Sequence, residues 1–363
     1  MRSPLFATFA ALVACGPPAP EPARNLPPVD LSTGRSTSCA VLDDGTIRCW
    51  GSDLRDPGVG VRGGWTPDLC IDQSDNPRFD VSPRDVPGIR DAVEVAVGDR
   101  HACARTKTGG VWCWGHGYNG QTGSGLSALS NVVEVKAGMA HTCARLATGK
   151  VSCWGTNQFG ELGNGGGRDS ATPVEVREID DAEQLAVGMM HSCVVRASGE
   201  VWCWGSGAWG ELGDGMESTQ TGPLRVVGVT DAVEVGVGSS VSCARRRDGA
   251  VLCWGQLDQK AVLTPTELAR GDDIVALTVA WKQMCIVRSS GASERIRFGD
   301  AGAKVEATAL PFTDVVQLSP GQYHVCARNS AGQVDCIGAN YCGALGDSTT
   351  QGRLDALGSP VKL

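Results

Sequence analysis

The chain has 363 residues, with 16 cysteines, ten tryptophans and a formal net charge of −8. Its 32 basic side chains are scattered and outnumbered by 40 acidic ones, so no positive stripe is available to neutralise phosphates. This composition argues against nucleic acid as a partner. Length alone would suggest about two domains, but repetition along the sequence outweighs that count.

The first 28 residues predict an export signal followed by a tether. Residues 5–14 form an apolar run that is too short to span a bilayer. Residues 12–15 (LVAC) resemble the lipobox of bacterial lipoproteins, which implies a signal peptide over residues 1–14, lipidation of Cys15 and sorting to the outer membrane or cell surface. An ordinary secretory peptide is the alternative. The proline-rich residues 15–28 predict a stiff tether, and we expect the lipid to be the only membrane attachment.

A pattern that occurs in seven copies fills the rest of the chain. Each copy has a cysteine, a glycine six positions later and, in six copies, a second cysteine ten positions later. Most copies lie 40 to 50 residues apart, a spacing typical of propeller blades. The first cysteines are Cys39, Cys103, Cys143, Cys193, Cys243, Cys285 and Cys326; the second ones are Cys49, Cys113, Cys153, Cys203, Cys253 and Cys336.

The spacing of the two cysteines predicts a β-hairpin closed by a disulfide. Apolar residues alternate before the first cysteine, as expected of a strand. If the two cysteines face each other, three residues form the turn, and the glycine takes the last position, which requires a left-handed backbone. Facing residues of a non-hydrogen-bonded pair are close enough for a disulfide. Zinc sites use cysteines two to four positions apart, so we predict six disulfides and an oxidising compartment.

The copies at residues 133–163 and 185–213 resemble the repeat of the regulator of chromosome condensation family. They match V-x-V-x-x-G-x-x-H-x-C, followed by G-x-V-x-C-W-G and G-E-L-G. The resemblance covers nearly all of residues 29–363 and implies an all-β, seven-bladed β-propeller of RCC1-like repeats. The cysteine-rich version resembles that of exported bacterial members. The resemblance also implies that residues 359–363 form an outer strand that joins blades across the seam of the ring.

Some copies depart from this pattern. Blade 5 lacks the G-E-L-G loop, and blade 6 lacks the second cysteine, with Phe298 and Gly299 in place of Trp-Gly and two extra residues after the turn. We therefore expect blades 5 and 6 to be the least regular. Three further cysteines lie outside the hairpin pairs. We predict a disulfide between Cys70 and Cys342 across the seam, with Cys285 left as a buried thiol.

Histidine and tryptophan recur at fixed positions of the repeat. A histidine stands two positions before the first cysteine in four copies: His101, His141, His191 and His324. Other copies carry different residues there, so we expect structural histidines bonded to backbone and predict no catalytic, metal or cofactor site. The tryptophan of C-W-G is expected to pack between blades; it occurs as Trp50, Trp114, Trp154, Trp204 and Trp254.

A segment at residues 52–88 interrupts the repeat and is the main candidate for binding. Long loops on a rigid scaffold often carry binding residues, so we select Trp65 and Phe79 within it. The competing interpretation is that the segment is a solvent-exposed loop without a binding role. A calcium site among its aspartates is a weaker alternative, because the spacing of an EF-hand loop is absent. Trp209 and Trp281 lie outside the C-W-G frame and are further candidates expected to be exposed.

The leading functional prediction is a monomeric, surface-anchored lipoprotein whose propeller binds or scaffolds a protein or glycan, without catalysis. The alternative is an inhibitor of an extracytoplasmic enzyme, because an exported propeller of this superfamily inhibits β-lactamases. Guanine-nucleotide exchange, the activity of nuclear relatives, is less favoured since an exported chain would not meet a cytoplasmic GTPase. A propeller hydrolase or lyase is the least favoured reading, because no catalytic arrangement stands out.

Overall fold

The computed structural model describes residues 30–52, 79–117, 120, 122, 129–298, 307–353, 361 and 363. These residues form 26 strands in seven antiparallel sheets. The first strands of all seven sheets line one central channel. The predicted all-β, seven-bladed propeller is therefore confirmed. A search of the described residues for a helix long and apolar enough to cross a membrane finds none.

The strands of each blade follow one another in sequence from the channel outwards. Blade 1 contains β1 (Asp30–Thr33), β2 (Thr37–Val41), β3 (Ile47–Ser52) and β4 (Phe79–Asp85). Blade 2 contains β5 (Ala92–Val97), β6 (His101–Thr106) and β7 (Val111–Gly115). Blade 3 contains β8 (Val132–Ala137), β9 (His141–Leu146), β10 (Val151–Gly155) and β11 (Ser170–Glu175). Blade 4 contains β12 (Ala182–Val187), β13 (His191–Arg196), β14 (Val201–Gly205) and β15 (Gln220–Arg225).

The remaining three blades follow the same order. Blade 5 contains β16 (Ala232–Val237), β17 (Val241–Arg246), β18 (Ala250–Leu257) and β19 (Lys260–Arg270). Blade 6 contains β20 (Ile274–Ala280), β21 (Gln283–Arg288), β22 (Ser293–Arg297) and β23 (Ala307–Ala309). Blade 7 contains β24 (Val315–Pro320), β25 (His324–Asn329) and β26 (Val334–Gly338), and a 3-10 turn, Tyr341–Gly343, comes after it.

The hairpin between the second and third strands has the predicted geometry. In blade 3, Cys143 faces Cys153 with their Cα atoms 4.1 Å apart. Gly149 closes the three-residue turn with φ +82°, and its N–H donates to the carbonyl of Leu146 at 2.9 Å. A Cβ at this glycine would lie 2.6 Å from the carbonyl oxygen of Asp180, so both the backbone conformation and the space require glycine.

All six predicted hairpin disulfides are present. They indicate an oxidising environment, since such bonds are rare in reducing compartments. Cys285 is a buried free thiol, as predicted. Cys342 is also disulfide-bonded. Its predicted partner, Cys70, lies outside the described residues, so that pairing stays a prediction.

A buried polar network joins neighbouring blades, as shown by blades 4 and 5. Nε2 of His191 lies 2.8 Å from Oγ of Ser242 in the next blade. The Ser242 hydroxyl donates to the carbonyl of Glu211 (3.0 Å), which also accepts the indole N–H of Trp254 (2.7 Å). Because the serine donates its only proton there, the imidazole donates from Nε2. Gly213 lies so close under the indole that a Cβ would stand 2.8 Å from its nitrogen.

The histidine partner is therefore a hydroxyl of the next blade, and the expected bond to backbone is wrong. The same pair recurs as His101–Thr142, His141–Ser192 and His324–Ser38 at 2.8, 2.9 and 2.9 Å. Tryptophan packing between blades is confirmed for Trp50 and Trp204, which are buried and donate to loop carbonyls of the preceding blade. A hydroxyl fits because it both accepts from the imidazole and donates to that carbonyl.

The junction between blades 5 and 6 replaces this network with apolar packing. Val241 and Met284 take the positions of the histidine and the hydroxyl, and both lie in one buried cluster with Phe298. Cys285 faces Arg295, so β22 keeps the register of the other blades and the predicted two extra residues are wrong. Ile296, rather than Phe298, takes the tryptophan position.

The outer part of blade 5 departs from the other blades, as predicted, because the pairing of β18 with β19 has two register shifts, between Val251 and Leu252 and between Cys253 and Gly255. Its β18 and β19 form the longest hairpin of the described ring, and they are joined by a two-residue turn at Asp258 and Gln259. Both turn residues have positive φ, which is the conformation that such tight hairpins require. A long hairpin with two register shifts thus replaces the missing G-E-L-G loop.

The ring closes between blades 7 and 1 through the same device as the internal junctions. His324 bonds Ser38, and the Ser319 hydroxyl accepts from the Thr33 N–H at 2.9 Å. The N–H of Val361 donates to Val334 of blade 7, while its side chain lies in a cluster with Leu31 and Trp50 of blade 1. This residue of the predicted closing segment therefore bonds within blade 7 and contacts blade 1 by apolar packing. Residues 354–360 lie outside the described part.

The segment that interrupts the repeat is shorter than predicted. Phe79–Asp85 is β4, the fourth strand of blade 1, and Cys49 faces Arg84 across it. The end of the predicted 52–88 insertion is thus part of the blade. The sequence FDVSPRD is polar and contains proline, which hid the strand signal. Residues 53–78, and the predicted signal peptide and tether at 1–14 and 15–28, lie outside the described residues.

Candidate functional site

One end of the propeller carries the longer loops and is called the loop face here. It is defined by the connections from first to second strand and from third to fourth strand of each blade. Adjacent strands are antiparallel, so both kinds of connection emerge at the same end. The seven hairpins between second and third strands, six of which carry a disulfide, emerge at the opposite end, called the hairpin face.

Exposed apolar side chains concentrate on the loop face. Five of the eight large hydrophobic side chains exposed among the described residues lie there: Phe159, Trp209, Met216, Tyr323 and Tyr341. Trp112, Val133 and Val227 lie elsewhere. Isolated apolar side chains on a surface need no explanation, but a concentration of aromatic and methionine side chains on one face is typical of an interaction site.

The G-E-L-G motif fixes two of these aromatic side chains in place. Glu161 Oε2 accepts the backbone N–H of Phe159 at 2.8 Å, and Glu211 Oε2 accepts that of Trp209 at 2.7 Å. Burial raises the pKa of both carboxyls above their ordinary value. Phe159 and Trp209 are 41% and 44% exposed although their backbone is held by buried groups. The fold therefore presents both rings in ordered positions.

In blade 3 an asparagine supports the loop from below. Asn157 is buried, and its side-chain amide donates to the carbonyls of Gly166 and Arg168 at 3.0 and 3.1 Å. Its amide oxygen accepts the N–H of Leu162 at 3.0 Å. These bonds hold together the two ends of a long loop. The loop that carries the exposed Phe159 is therefore fixed by hydrogen bonds at its base.

Blade 7 displays a pair of tyrosines. The rings of Tyr323 and Tyr341 meet edge to face with centroids 5.3 Å apart, and both remain exposed. Cys342, next to Tyr341, is disulfide-bonded and has φ +57°. Edge-to-face packing adds about 0.5–1.5 kcal/mol, which orders the pair while leaving its outer faces free to bind.

The central channel opens in the middle of the loop face. Its volume is about 270 Å³. The residues at its mouth include Arg35, Asp99, Met139 and Trp281 from four different blades. The Arg35 guanidinium lies over the Trp281 ring, 6.0 Å from its centroid. The mouth therefore combines charged, aromatic and thioether groups.

The structure places the predicted binding residues unevenly. Trp209 is exposed on the loop face, whereas Trp281 is half-buried at the channel mouth rather than fully exposed. Phe79 begins β4, and Trp65, like Cys15, lies outside the described residues. Phe159 was not predicted as a binding residue. Its signal was available, because it occupies the same position before G-E-L-G as Trp209.

No group of three or more His, Cys, Asp or Glu side chains suited to a metal ion occurs in the described part of the chain. The four aligned histidines do not converge; each faces a hydroxyl of the following blade. Burial lowers their pKa values, to about 4 for His101 and His324 and about 3 for His141 and His191. They are therefore neutral, buried hydrogen-bond donors that link blades.

Comparison with known proteins identifies the repeat. The family described as regulator of chromosome condensation (RCC1) repeat matches residues 29–55, 92–121, 132–161 and 183–208, and a second family of the same description matches 148–195 and 198–245. Protein pim1 of Schizosaccharomyces pombe is 29% identical over 96 residues, which cover 26% of this chain and only 18% of that protein.

Solved structures show the same fold at low sequence identity. Human WBSCR16 superposes with a TM-score of 0.72 at 19% identity, covering 88% of this chain and 94% of that one. Prp20p from Saccharomyces cerevisiae superposes with a TM-score of 0.68 at 20% identity, covering 92% and 87%. The chain is therefore a seven-bladed β-propeller with RCC1-like repeats, and the repeat matches lie within residues 29–245.

Proposed function

We propose that this protein is an exported, surface-anchored binding module that holds a protein partner on its loop face. The observation that carries the proposal is the concentration of ordered, exposed aromatic and methionine side chains at that end. Aromatic residues and methionine are enriched at protein interfaces, and methionine adapts to irregular apolar surfaces. Met216 favours a protein over a glycan, because sugar recognition gains little from a flexible thioether.

Two features support a place outside the cytoplasm. The six disulfides require oxidising conditions, and the LVAC sequence ending at Cys15 resembles a lipobox. A chain in that place would not meet a cytoplasmic GTPase. The related Prp20p is described as binding Gsp1p and histones, which shows that this fold can bind proteins without naming the partner here. Metabolic palmitate labelling of wild type and Cys15→Ser tests the anchor: labelling that persists in the variant would contradict it.

The loop face is tested by capture from envelope extracts with the mature, disulfide-intact protein. The test variant is the double substitution Phe159→Ser and Trp209→Ser. The matched control is Val227→Ser, because Val227 is 50% exposed but lies after β15 on the hairpin face. We expect wild type and the control variant to capture at least one envelope protein that the double variant does not capture. Equal capture by all three proteins would contradict a binding role for the loop face.

Inhibition of an extracytoplasmic enzyme is the second candidate. Ordered aromatic loops around a rigid face suit an inhibitor, because they can cover an active site without paying an ordering cost. If the captured partner is an enzyme, its activity should fall on titration with wild type and with Val227→Ser. If the enzyme keeps its full activity in the saturated complex, inhibition is excluded and the scaffold function is retained as the proposal.

A further inference from the structure

One residue at the channel mouth has a backbone conformation that does not suit its side chain. In blade 6, Ala280 pairs with Gln283, so Trp281 and Lys282 form a two-residue hairpin turn. Trp281 has φ +50°, a region where a two-residue turn normally places glycine and where bulky residues are outliers. Such strain costs on the order of 1–3 kcal/mol and concentrates at functional sites.

The hydrogen bonds of Trp281 explain the position of its backbone but not the identity of its side chain. Its carbonyl accepts the N–H of Ser239 at 2.9 Å and the Ser239 hydroxyl at 3.2 Å. In another blade, the carbonyl of Gly138 accepts the N–H of Asp99 at 3.2 Å in the same way. A glycine at position 281 would keep both bonds and remove the strain. These hydrogen bonds and the turn therefore do not require an indole at position 281.

The charges around the mouth differ from those of the whole chain. The seven connections from first to second strand are all described, and their charged residues are Arg35, Arg100, Lys282 and Asp99. Three positive charges and one negative charge give +2 at the mouth, on a chain whose net charge is −8. Asp99 is mostly buried and its negative charge interacts with both Arg35 and Arg100, so the charge that remains at the mouth is positive. Burial raises the pKa of Asp99, and the positive charge of Arg35 opposes that rise.

We propose that the channel mouth binds an acidic segment of the protein partner, with a carboxylate of that segment paired to Arg35. This inference rests on the proposed function and specifies the chemistry of the partner. The planar guanidinium suits two parallel hydrogen bonds to a carboxylate, and stacking on Trp281 orients it for them. Lys282 is exposed beside the indole and adds positive potential that steers an acidic segment to the mouth.

Apolar groups at the mouth select a segment in which acidic and apolar residues alternate. Met139 and Met189 line the channel beside the charged residues. A carboxylate on a polar glycan would leave these thioethers without partners, whereas neighbouring apolar side chains of a peptide would cover them. This is why a protein segment, rather than an acidic polysaccharide, fits the site.

The test uses defined polymers as probes of the mature, full-length protein. The probes are a random copolymer of Glu and Tyr, a random copolymer of Lys and Tyr, and polygalacturonate, each fluorescently labelled and titrated at low ionic strength. We expect binding of the Glu–Tyr copolymer, at least tenfold weaker binding in Trp281→Gly and in Arg35→Gln, and no change in Lys107→Gln. Lys107 is an exposed cation of the hairpin face and serves as the matched control.

Thermal unfolding separates a binding role of Trp281 from a structural one. We expect Trp281→Gly to unfold at the same or a higher temperature than wild type, because the strained turn is relieved. A lower unfolding temperature would assign the indole to the fold and overturn the inference. Equal binding of the Glu–Tyr copolymer by wild type and both mouth variants would overturn it as well.

The two other probes test the charge and the chemical class of the ligand. If the Lys–Tyr copolymer binds more strongly than the Glu–Tyr copolymer, the partner segment is basic and the inference is wrong. If polygalacturonate binds as tightly as the Glu–Tyr copolymer, the ligand is an acidic glycan rather than a protein segment. Neither result touches the proposed function, because capture through Phe159 and Trp209 is measured on separate loops. If wild type and the Phe159/Trp209 double variant capture the same proteins while the Glu–Tyr copolymer still binds, only the proposed function of the loop face is contradicted.

Discussion

The histidine network between blades makes the stability of this propeller sensitive to acid. Four histidines are buried and neutral, with pKa values lowered to about 3–4 from 6.5. Unfolding returns each to its ordinary pKa. Between pH 6.5 and about 4 the unfolded chain therefore binds more protons than the folded one, so stability is complete above pH 6.5 and falls as the pH falls.

The magnitude follows from the size of the pKa difference. At pH 5 each histidine contributes about 2 kcal/mol of lost stability, because 1.5 pH units at about 1.4 kcal/mol each separate that pH from the unfolded pKa. Four histidines together account for about 8 kcal/mol at most, against about 5–15 kcal/mol for a typical domain. Buried carboxyls such as Glu211, whose pKa is raised, act in the opposite direction.

The assay compares denaturant unfolding of disulfide-intact wild type and His191→Gln at pH 7.5 and pH 5.0. Glutamine is the natural choice because Gln283 takes the equivalent position in blade 6 and donates to Gly321 at 2.7 Å. We expect the stability gap between the two proteins to shrink by about 2 kcal/mol on acidification, since one titrating group has been removed. The carboxyls are common to both proteins and cancel in this difference.

The control for this experiment is Ser242→Ala, which removes the partner of His191 but keeps the imidazole. It should lower stability at both pH values, by about 1–3 kcal/mol for the buried donor left unpaired, and keep the wild-type dependence on pH. A gap between wild type and His191→Gln that stays constant from pH 7.5 to pH 5.0 would refute the assignment of acid sensitivity to this network.

Three further predictions concern the hairpins. Arg295→Cys should form a seventh hairpin disulfide with Cys285, which it faces, and raise stability by about 2–3 kcal/mol; peptide mapping without reduction and thermal unfolding check this. Gly149→Ala should destabilise by roughly 2–3 kcal/mol in denaturant unfolding, because φ is +82° and the new methyl meets backbone; unchanged stability would contradict the turn geometry. Replacing Cys193 and Cys203 together by alanine should cost about 3 kcal/mol, and a loss near zero would show that blade packing alone fixes the hairpin.

The sequence predicted best the features that are decided within one hairpin. The pairing of Cys143 with Cys153 depends only on the length of the turn and the glycine in it, and both are local. The partner of His141 could not be predicted in this way, because Ser192 lies 51 residues away in the next blade. The repeat pattern shows which residues recur, but it does not show which recurring positions of two neighbouring blades meet.

The errors have the same physical origin. The outer strand β4 was assigned to an insertion because strands at the rim bury little and need no alternation of apolar residues. In blade 6 the apolar Phe298 was taken for the tryptophan equivalent, since both residue types fill the space between blades. The backbone register instead puts Ile296 there.

The G-E-L-G loop links the stability of the ring to what it displays. In blade 4, the carbonyl of Glu211 accepts from Ser242 and Trp254 of the next blade, while its carboxylate accepts the backbone N–H of Trp209. One residue therefore seals a blade junction and orients an exposed aromatic ring. Binding at that ring requires little ordering of the loop, so little affinity is lost to conformational entropy. The side chain displayed at position 209, rather than the closure of its loop, should then determine which surface the propeller recognises.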